Sequence, residues 1–344
     1  MFESHSTHLF SEMNLDILSI ASSPIELLNN ALLDSHGVRV YVKRDDLIHP
    51  SVQGNKWRKL KYNLMKIKEL NIPTLLTFGG AFSNHIHATA AAGQLFGIKT
   101  IGIIRGERAD PLNNTLIFAE NHGMKLYFVS REEYKNKPAL THALNDTFGD
   151  VYVLPEGGTN DLAVVGSKEI VKEINQQIFP QPDFLVVACG TGGTIAGMIK
   201  AADERQTVIG FAVLKGNFLH KDVSNLINLS EDSSFFKKKN DELLKKNDIN
   251  PHNQSNWSIN TDYHFGGYAK SNPELIEFIN RFKAQHGIPL DPVYTGKMFF
   301  GLFDLIKKGY FPRGSTIVAV HTGGLQGIEG FNDIKLKNSP IKLV

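Results

Sequence analysis

The sequence predicts an α/β protein in which open, mostly parallel β-sheets are flanked by helices on both faces. Short apolar runs such as residues 184–188 and 208–214 alternate with segments whose apolar residues repeat at helical spacing. Strands that are apolar on both faces are typical of parallel sheets, because helices cover each face. Glycine-rich turns follow several of these runs, at the carboxyl ends of strands where such sheets bind their ligands.

The alternation of strand and helix continues along most of the chain. Strands are predicted at residues 38–42, 74–78, 100–104, 125–129, 151–154, 184–188, 208–214 and 316–320. Helices are predicted after residue 56, through residue 92, at residues 112–120, 139–148, 164–178, 273–286 and 298–308, and from residue 195. Residues 1–35 are expected to be helical or irregular.

Residues 215–262 break this alternation. They are rich in Asn, Asp, Ser and Lys and have few apolar positions. Such a composition cannot bury enough apolar surface to form a domain. We interpret the segment as a surface excursion that carries a short helix at residues 241–246.

Composition limits the functional class. The chain has 344 residues, of which 42% are hydrophobic and 21% charged, and its net charge of +2 gives no indication of nucleic acid or an anionic membrane as a partner. A single cysteine, Cys189, excludes an internal disulfide and is compatible with a reducing compartment. No signal peptide and no apolar run of membrane-spanning length are recognisable. We therefore expect a soluble, cytoplasmic protein.

Lys56 lies at a junction between a loop and a helix. Gly54 and Asn55 precede it and allow the backbone to turn tightly. A helix N-terminus disfavours a cation, and Arg58 and Lys59 disfavour it further, so an amine or an imine is the chemical alternative. On these residues alone, a basic surface turn is the competing interpretation.

A glycine-rich turn between a buried strand and a helix predicts an anion site. The turn follows Cys189 and consists of Gly190, Thr191, Gly192, Gly193 and Thr194. Free backbone N–H groups at such a helix start bind phosphate well. The third glycine of a dinucleotide fingerprint is missing, and no Gly-Lys-Ser/Thr closes a nucleotide-binding loop. A tight turn without a ligand remains the alternative.

Three further loops carry polar side chains at strand or helix ends. Ser83 or Asn84 can cap the helix that follows and can also bind a ligand there. Tyr268 and Tyr294 lie in loops, where they could stack on a flat ring, donate a proton or simply pack on the surface. Neither a cysteine nor a carboxylate stands near His85 at metal-ligand spacing, so no metal site is predicted.

In this order, these motifs resemble a known enzyme family. The motifs are Gly54-Asn55-Lys56, Ser83-Asn84-His85, residues 190–194, residues 291–297 and His321-Thr322-Gly323-Gly324. They are similar to those of the pyridoxal-phosphate (PLP) enzymes of the D-cysteine desulfhydrase and 1-aminocyclopropane-1-carboxylate (ACC) deaminase family. The resemblance covers residues 24–330 and implies the tryptophan synthase β-like fold (fold type II), with two open, twisted, mostly parallel sheets.

The resemblance also implies a domain organisation. Residues 1–60 and 165–344 would form a large cofactor-binding domain that includes the excursion at 215–262, and residues 61–164 a small domain. A homodimer and a small amino-acid substrate are expected as well.

Roles for individual residues follow from the same resemblance. Lys56 would bind PLP as an imine and later move the substrate's Cα proton. The other cofactor-binding residues would be Gly190, Thr191, Gly192, Gly193 and Thr194 at the phosphate, Asn84 at the ring 3′-oxygen, Tyr294 against the ring and Thr322 at the pyridine nitrogen. The substrate would contact Ser83, Asn84, His85 and Thr295, with Ser83, Tyr268 and Tyr294 as additional catalytic candidates.

Four positions depart from the family pattern and bear on the substrate. Members that resemble ACC deaminase typically have Glu and Leu where this chain has Thr295 and Thr322, which favours the desulfhydrase branch. Phe82 and His87 stand where Gln and Arg are usual. The expected reaction is α,β-elimination from D-cysteine to pyruvate, sulfide and ammonia. The alternatives are deamination of ACC to 2-oxobutanoate and ammonia, a phosphate-ligand enzyme without PLP, and a non-catalytic binding protein.

Overall fold

The computed structural model describes residues 22–228, 256–335 and 340–341. The predictions for residues 1–21 and for a helix at 241–246 lie outside the described residues. The strands are β1 (Ile25–Leu27), β2 (Arg39–Lys43), β3 (Thr74–Gly80), β4 (Lys99–Arg105), β5 (Met124–Val129), β6 (Tyr152–Leu154), β7 (Phe184–Cys189), β8 (Thr207–Ala212), β9 (Asn256–Asn260) and β10 (Thr316–Val320). The helices are α1 (Ala31–His36), α2 (Asn55–Glu69), α3 (Asn84–Phe96), α4 (Asn114–Asn121), α5 (Lys137–Phe148), α6 (Asp161–Gln177), α7 (Gly193–Ala201), α8 (Phe218–Asn228), α9 (Pro273–His286), α10 (Thr295–Lys307) and α11 (Gly327–Lys335).

The strands form two sheets. One has the order β1-β2-β10-β7-β8-β9 and the other the order β5-β4-β3-β6. β1 pairs antiparallel with β2, and the other pairings are parallel. Helices flank these sheets, so the predicted class of two mostly parallel sheets is confirmed.

The larger sheet separates two apolar clusters. Val186 and Ala319 pack into one cluster, whereas Leu185 and Val318 pack into the other. Successive side chains of a strand point to opposite faces, so each central strand contributes to both clusters. This two-sided burial explains why β7 and β10 are apolar throughout.

Two boundary predictions are wrong. Residues 25–27 form a strand at the edge of the larger sheet instead of a helical or irregular segment. Helix α10 begins at Thr295, whereas the sequence predicted a loop to residue 297. The carboxylate of Asp291 accepts hydrogen bonds from the backbone N–H groups of Val293, Tyr294 and Thr295, which satisfies the start of the helix earlier than the apolar pattern indicates.

Both ends of segment 215–262 belong to the regular fold, which corrects the expected break in the alternation. Strand β9 pairs in parallel with β8 at the edge of the larger sheet. Helix α8 packs Leu219 and Val223 into the apolar cluster beneath that sheet. Strand β9 offers only Trp257 and Ile259 as large apolar residues, too few for a strand signal.

The described helices are short. The longest of them, α6, has 17 residues and carries charged residues along its length. No described helix is long and apolar enough to cross a membrane.

A close contact between α2 and α6 gives a test of the packing. A Cβ atom at Gly166 would lie 1.9 Å from the carbonyl oxygen of Arg58. An alanine in a helix is ordinarily more stable than a glycine by ~1 kcal/mol. We expect Gly166→Ala instead to lower the free energy of unfolding by ~1–3 kcal/mol, because α2 and α6 must separate. Urea unfolding of the purified protein measures this change.

The matched control is Gly327→Ala in α11. The nearest heavy atom to a Cβ there is 3.8 Å away, so this variant should be as stable as the wild type or slightly more stable. Equal stability of the two variants would contradict the described packing of α2 on α6.

Candidate active site

A cavity of about 460 Å³ opens at the carboxyl ends of both sheets. Strands β2, β10 and β7 are neighbours in the larger sheet, and Val320 pairs with both Lys43 and Val187, so the three strands end at the same level. The loops that follow these strands carry Lys56, Thr322 and the glycine-rich turn into the cavity wall.

The smaller sheet supplies the opposite wall. Strands β4, β3 and β6 are neighbours, and the residues at or after their carboxyl ends include Arg105, Ser83 and Glu156, which line the cavity. Arg131 lines it as well. Glu156 forms an ion pair with Lys137 (3.0 Å), and no ion pair of Arg105 or Arg131 is present among the described residues. This wall is therefore electropositive, which favours anionic ligands.

Lys56 lies in the first turn of α2 and faces the cavity. Gly54 precedes the helix with φ of 63°, and a Cβ at this residue would lie 1.9 Å from the carbonyl oxygen of Thr322. Only glycine permits this close approach of the backbones of β10 and α2. Burial lowers the pKa of Lys56 to about 8, so a substantial fraction of its amine is neutral and nucleophilic at mildly alkaline pH.

A buried ionic network holds the same turn of α2. The guanidinium of Arg58 donates to both oxygens of Asp45 at 2.9 and 3.1 Å and also binds Glu173. Glu173 receives a second cation, Lys43, at 2.7 Å. Burial alone would raise the pKa of Asp45, yet the charge of Arg58 lowers it below its ordinary value. The network therefore stays ionised and ties α2 to β2 and α6.

The glycine-rich turn adopts the geometry that its sequence predicts. Gly192 has φ of 80° and precedes α7, whose first-turn N–H groups lack partners within the helix. Asn55 donates to Thr194 at 2.9 Å, which links this turn to the Lys56 loop. Burial raises the pKa of the Cys189 thiol to about 12, in keeping with a packing residue and not a nucleophile.

Lys59 is a residue of the cavity wall that the sequence analysis did not single out. Its side chain is only 2% exposed, and Nζ donates to the backbone oxygen of Gly157 (3.1 Å) and to Thr159 (2.9 Å), with Thr191 at 3.4 Å. Burial, and then the charge of Lys56, lower the pKa of Lys59 well below its ordinary value. The available signal was its spacing of three residues from Lys56, which places both amines on one face of the helix.

Ser83, Asn84 and His85 combine capping with exposure to the cavity. The Ser83 hydroxyl accepts from the N–H groups of His85 (3.2 Å) and Ile86 (3.3 Å), as a helix cap does. The Asn84 side-chain oxygen accepts from Gln326 at 2.7 Å. All three predicted residues line the cavity.

His85 has a defined tautomer. Thr77 donates to the carbonyl oxygen of Leu154, so its hydroxyl accepts from His85 Nε2 at 2.8 Å. His85 Nδ1 is then an unprotonated acceptor, and it is buried without a hydrogen-bond partner among the described residues. Burial, and then Lys56 and Lys59, lower the pKa of His85 well below its ordinary value, so the ring is neutral.

Tyr268 and Tyr294 form an edge-to-face pair with ring centroids 6.2 Å apart. The Tyr294 ring covers Gly190, where a Cβ would lie 3.2 Å from the ring edge. Burial raises the pKa of both hydroxyls. Both tyrosines therefore remain protonated at neutral pH and can donate a proton into the cavity.

Two of the predicted site residues lie outside the cavity lining. Thr295 is fully buried, and its hydroxyl donates to Asp291 at 2.7 Å, so it is held at the start of α10 instead of facing a substrate. Gly193 packs behind the glycine-rich turn, with a Cβ position 2.9 Å from Thr159 and 3.1 Å from Lys59 Nζ. Lys56, Ser83, Asn84, His85, Gly190, Thr191, Gly192, Thr194, Tyr268, Tyr294 and Thr322 are brought together around the cavity.

Most of the chain matches a known protein family. The family described as pyridoxal-phosphate dependent enzyme matches residues 18–323 of the chain. The chain belongs to this family. PLP is therefore its cofactor, and the fold is the type II fold that the sequence motifs predicted.

Three similar proteins indicate to which subgroup of this family the chain belongs. A Pyrococcus horikoshii protein, provisionally named 1-aminocyclopropane-1-carboxylate deaminase, is 33% identical over 90% of this chain and 92% of its own. The bifunctional, mitochondrial D-cysteine desulfhydrase/ACC deaminase of Arabidopsis thaliana is 31% identical over 85% of this chain and 74% of its own. A crystal structure of an ACC deaminase homologue superposes with a TM-score of 0.74 at 31% identity, covering 91% and 92% of the two chains. The protein thus belongs to the ACC deaminase and D-cysteine desulfhydrase subgroup.

The cavity fits PLP on its own chemistry. The lowered pKa of Lys56 leaves a neutral amine that can form an imine with the aldehyde of PLP. The helix start after Gly192 and the buried Lys59 can bind the phosphate dianion. A buried lysine whose polar contacts are neutral oxygens is short of a negative charge, and the phosphate would supply it.

Substitution of Lys59 should have opposite effects on the stability of the cofactor-free protein and on its affinity for PLP. In the protein without PLP, the buried Lys59 amine must either lose its proton or keep a positive charge without a carboxylate partner. Lys59→Met removes this amine, so the variant should be at least as stable as the wild type. Its affinity for PLP should fall about tenfold or more, because a charge-assisted hydrogen bond to the phosphate is lost. Calorimetry of the cofactor-free protein and titration with PLP measure the two effects.

The pH dependence has a definite sign. The folded-state pKa of Lys59 is lowered, so between that value and 10.5 this side chain binds more protons in the unfolded chain, and its contribution to the stability of the wild-type protein rises with pH. The stability of cofactor-free Lys59→Met should rise less over the same range. An identical pH dependence of the two proteins would contradict the lowered pKa of Lys59, and unchanged PLP affinity would place the phosphate elsewhere.

Proposed function

We propose that the protein is a PLP-dependent lyase that acts on a small amino acid by α,β-elimination, with D-cysteine as substrate. The supporting observation is the orientation of Thr295, which is tied to Asp291 and turned away from the cavity. At this position the ring-opening branch typically has Glu. Glu156 is the one carboxylate among the described residues that line the cavity, and Lys137 pairs with it. A thiolate needs no such group to leave.

Deamination of ACC is the second candidate. It is favoured by the provisional name of the Pyrococcus horikoshii relative and by the solved ACC deaminase homologue, while the Arabidopsis relative is named for both activities. The two reactions share the first proton transfer and differ in the bond that breaks afterwards.

Lys56 has the properties that the first step requires. Bound PLP would supply the electron sink that makes the substrate's Cα–H bond acidic. The Lys56 amine, with its pKa lowered to about 8 by burial, would accept the Cα proton at mildly alkaline pH. The helix start at Ser83, Asn84 and His85 would hold the substrate carboxylate, since the Ser83 hydroxyl can donate to it and the positive dipole end of the helix favours an anion.

The remaining cavity residues would serve the leaving group. The Cβ–S bond breaks with its electron pair on sulfur, and a protonated hydroxyl of Tyr268 or Tyr294 would donate the proton that completes hydrogen sulfide. The remaining three-carbon product takes up one water and gives pyruvate and ammonia. Thr322 would place a neutral hydroxyl at the cofactor ring, which would suit a short elimination better than a long-lived carbanion.

The role of Lys56 can be tested by substitution. We expect Lys56→Ala to lower kcat for pyruvate formation about 1,000-fold or more, because both the covalent attachment and the proton acceptor are lost. Lys66→Ala, on the same helix but away from the cavity, should keep wild-type activity. Borohydride reduction of the PLP-loaded protein should label a peptide that contains Lys56. Substantial turnover by Lys56→Ala, or a label elsewhere, would remove Lys56 from the mechanism.

Substrate choice can be tested by two parallel assays. PLP-loaded protein should release pyruvate and sulfide from D-cysteine. Its kcat/KM for D-cysteine should be about tenfold or more above that for ACC, since a ring carbon of ACC is a poorer leaving group than a thiolate. Measured 2-oxobutanoate and pyruvate production decides the point. Efficient 2-oxobutanoate formation from ACC without sulfide from D-cysteine would reverse the order of the two candidates.

A further inference from the structure

A second cavity adjoins the first. Its volume is about 100 Å³, and its walls are largely apolar side chains and glycines, namely Phe82, Ala269, Pro292, Val293, Phe331, Gly324, Gly327 and Gly330. Four residues line both cavities: Phe82, Asn84, Tyr268 and Tyr294. The two cavities therefore share a wall, which the proposed substrate-binding turn and the two tyrosines form.

Two polar side chains of this second wall have oxygens that already accept hydrogen bonds. The carboxylate of Asp291 accepts four hydrogen bonds of 2.7–2.9 Å, from three backbone N–H groups and the Thr295 hydroxyl. The side-chain oxygen of Asn84 accepts from Gln326. A cavity whose walls are mostly apolar holds water poorly and binds apolar groups.

Phe82 gives this cavity its character. It stands where the resemblance would place Gln, its side chain is 38% exposed, and it lies between the two cavities. Gly330 faces the ring, since a Cβ at this residue would lie 3.3 Å from Phe82. A phenylalanine opposite a glycine leaves an open apolar surface within reach of any group bound near Asn84.

We propose that the second cavity is a substrate subsite for an apolar substituent carried on the β-position of the amino acid. This inference rests on the proposed elimination and names its substrate class as S-alkyl or similar thioether amino acids. A cavity of about 150 Å³ accommodates benzene, so this one suits an alkyl group of about three or four carbons.

The reaction of such a substrate balances as that of D-cysteine does. The Cβ–S bond breaks, the thiolate keeps the electron pair and takes a proton from a tyrosine hydroxyl, and an alkanethiol leaves. The amino-acid part takes up one water and yields pyruvate and ammonia.

Binding of unreactive amino acids tests the subsite apart from turnover. 2-Aminoheptanoate has the chain length of S-propylcysteine but no leaving group, and alanine lacks the chain. Each buried carbon contributes about fourfold in affinity. PLP-loaded protein should therefore bind 2-aminoheptanoate about tenfold or more tighter than alanine, as measured for both enantiomers by the change in the cofactor's near-visible absorption.

Variants of α11 locate the effect. Gly330→Leu should fill the cavity and abolish the preference for 2-aminoheptanoate while the affinity for alanine stays within about twofold. Gly330→Ala, a smaller change at the same residue, should reduce the preference partly. Glu329→Leu places the same side chain on the neighbouring, exposed residue of the helix and should keep the wild-type preference.

Kinetics then separate the subsite from the reaction. The ratio of kcat/KM for S-propylcysteine to that for cysteine should fall about tenfold or more in Gly330→Leu. If neither compound yields pyruvate but the binding preference exists and disappears in Gly330→Leu, the proposed elimination is wrong and the subsite stands. If the wild type binds alanine and 2-aminoheptanoate equally, or Gly330→Leu keeps the preference, the subsite is wrong whatever the reaction is.

Discussion

The ion pairs of Arg58 are the constraint on which the site depends. A buried guanidinium is unfavourable unless carboxylates surround it, and here Asp45 and Glu173 hold it from two sides. These contacts fix the first turn of α2 relative to β2 and α6. Lys56 and Lys59 extend from that turn as amines without carboxylate partners among the described residues. The charge of Arg58 is thus neutralised by its two carboxylates. Lys56 and Lys59, on the same turn, have no such partners in the described part of the chain, and burial lowers the pKa of both amines.

Much of the fold and of the site could be predicted because the signals are local. Strands β7 and β10 are apolar throughout, since helices cover both faces of their sheet. The glycine-rich turn at 190–194 follows β7 directly, so its position at the sheet's carboxyl edge required no tertiary information. Lys56 and Thr322 could be placed near it for the same reason, because their strands also end at this edge.

The remaining features depend on contacts that the local sequence pattern does not show. Lys59 looks like an ordinary surface lysine until Gly157 and Thr159 of another loop enclose it. Thr295 follows the loop tyrosine in sequence, yet the carboxylate of Asp291 turns its hydroxyl away from the cavity. Strand β9 has few apolar residues and is recognised only by its pairing with β8. In each case a partner far along the chain, or a single hydrogen bond, outweighs the local pattern.

The contact of Gly54 with the carbonyl oxygen of Thr322 joins two parts of the site that belong to the larger sheet. It joins the lysine loop to β10 so tightly that neither can shift alone, and the glycine-rich turn follows the next strand of the same sheet. Lys56, Thr322 and the glycine-rich turn thus belong to one sheet, whereas Ser83 and Asn84 follow β3 of the other sheet. The width of the cavity therefore depends on how the two sheets are placed relative to each other.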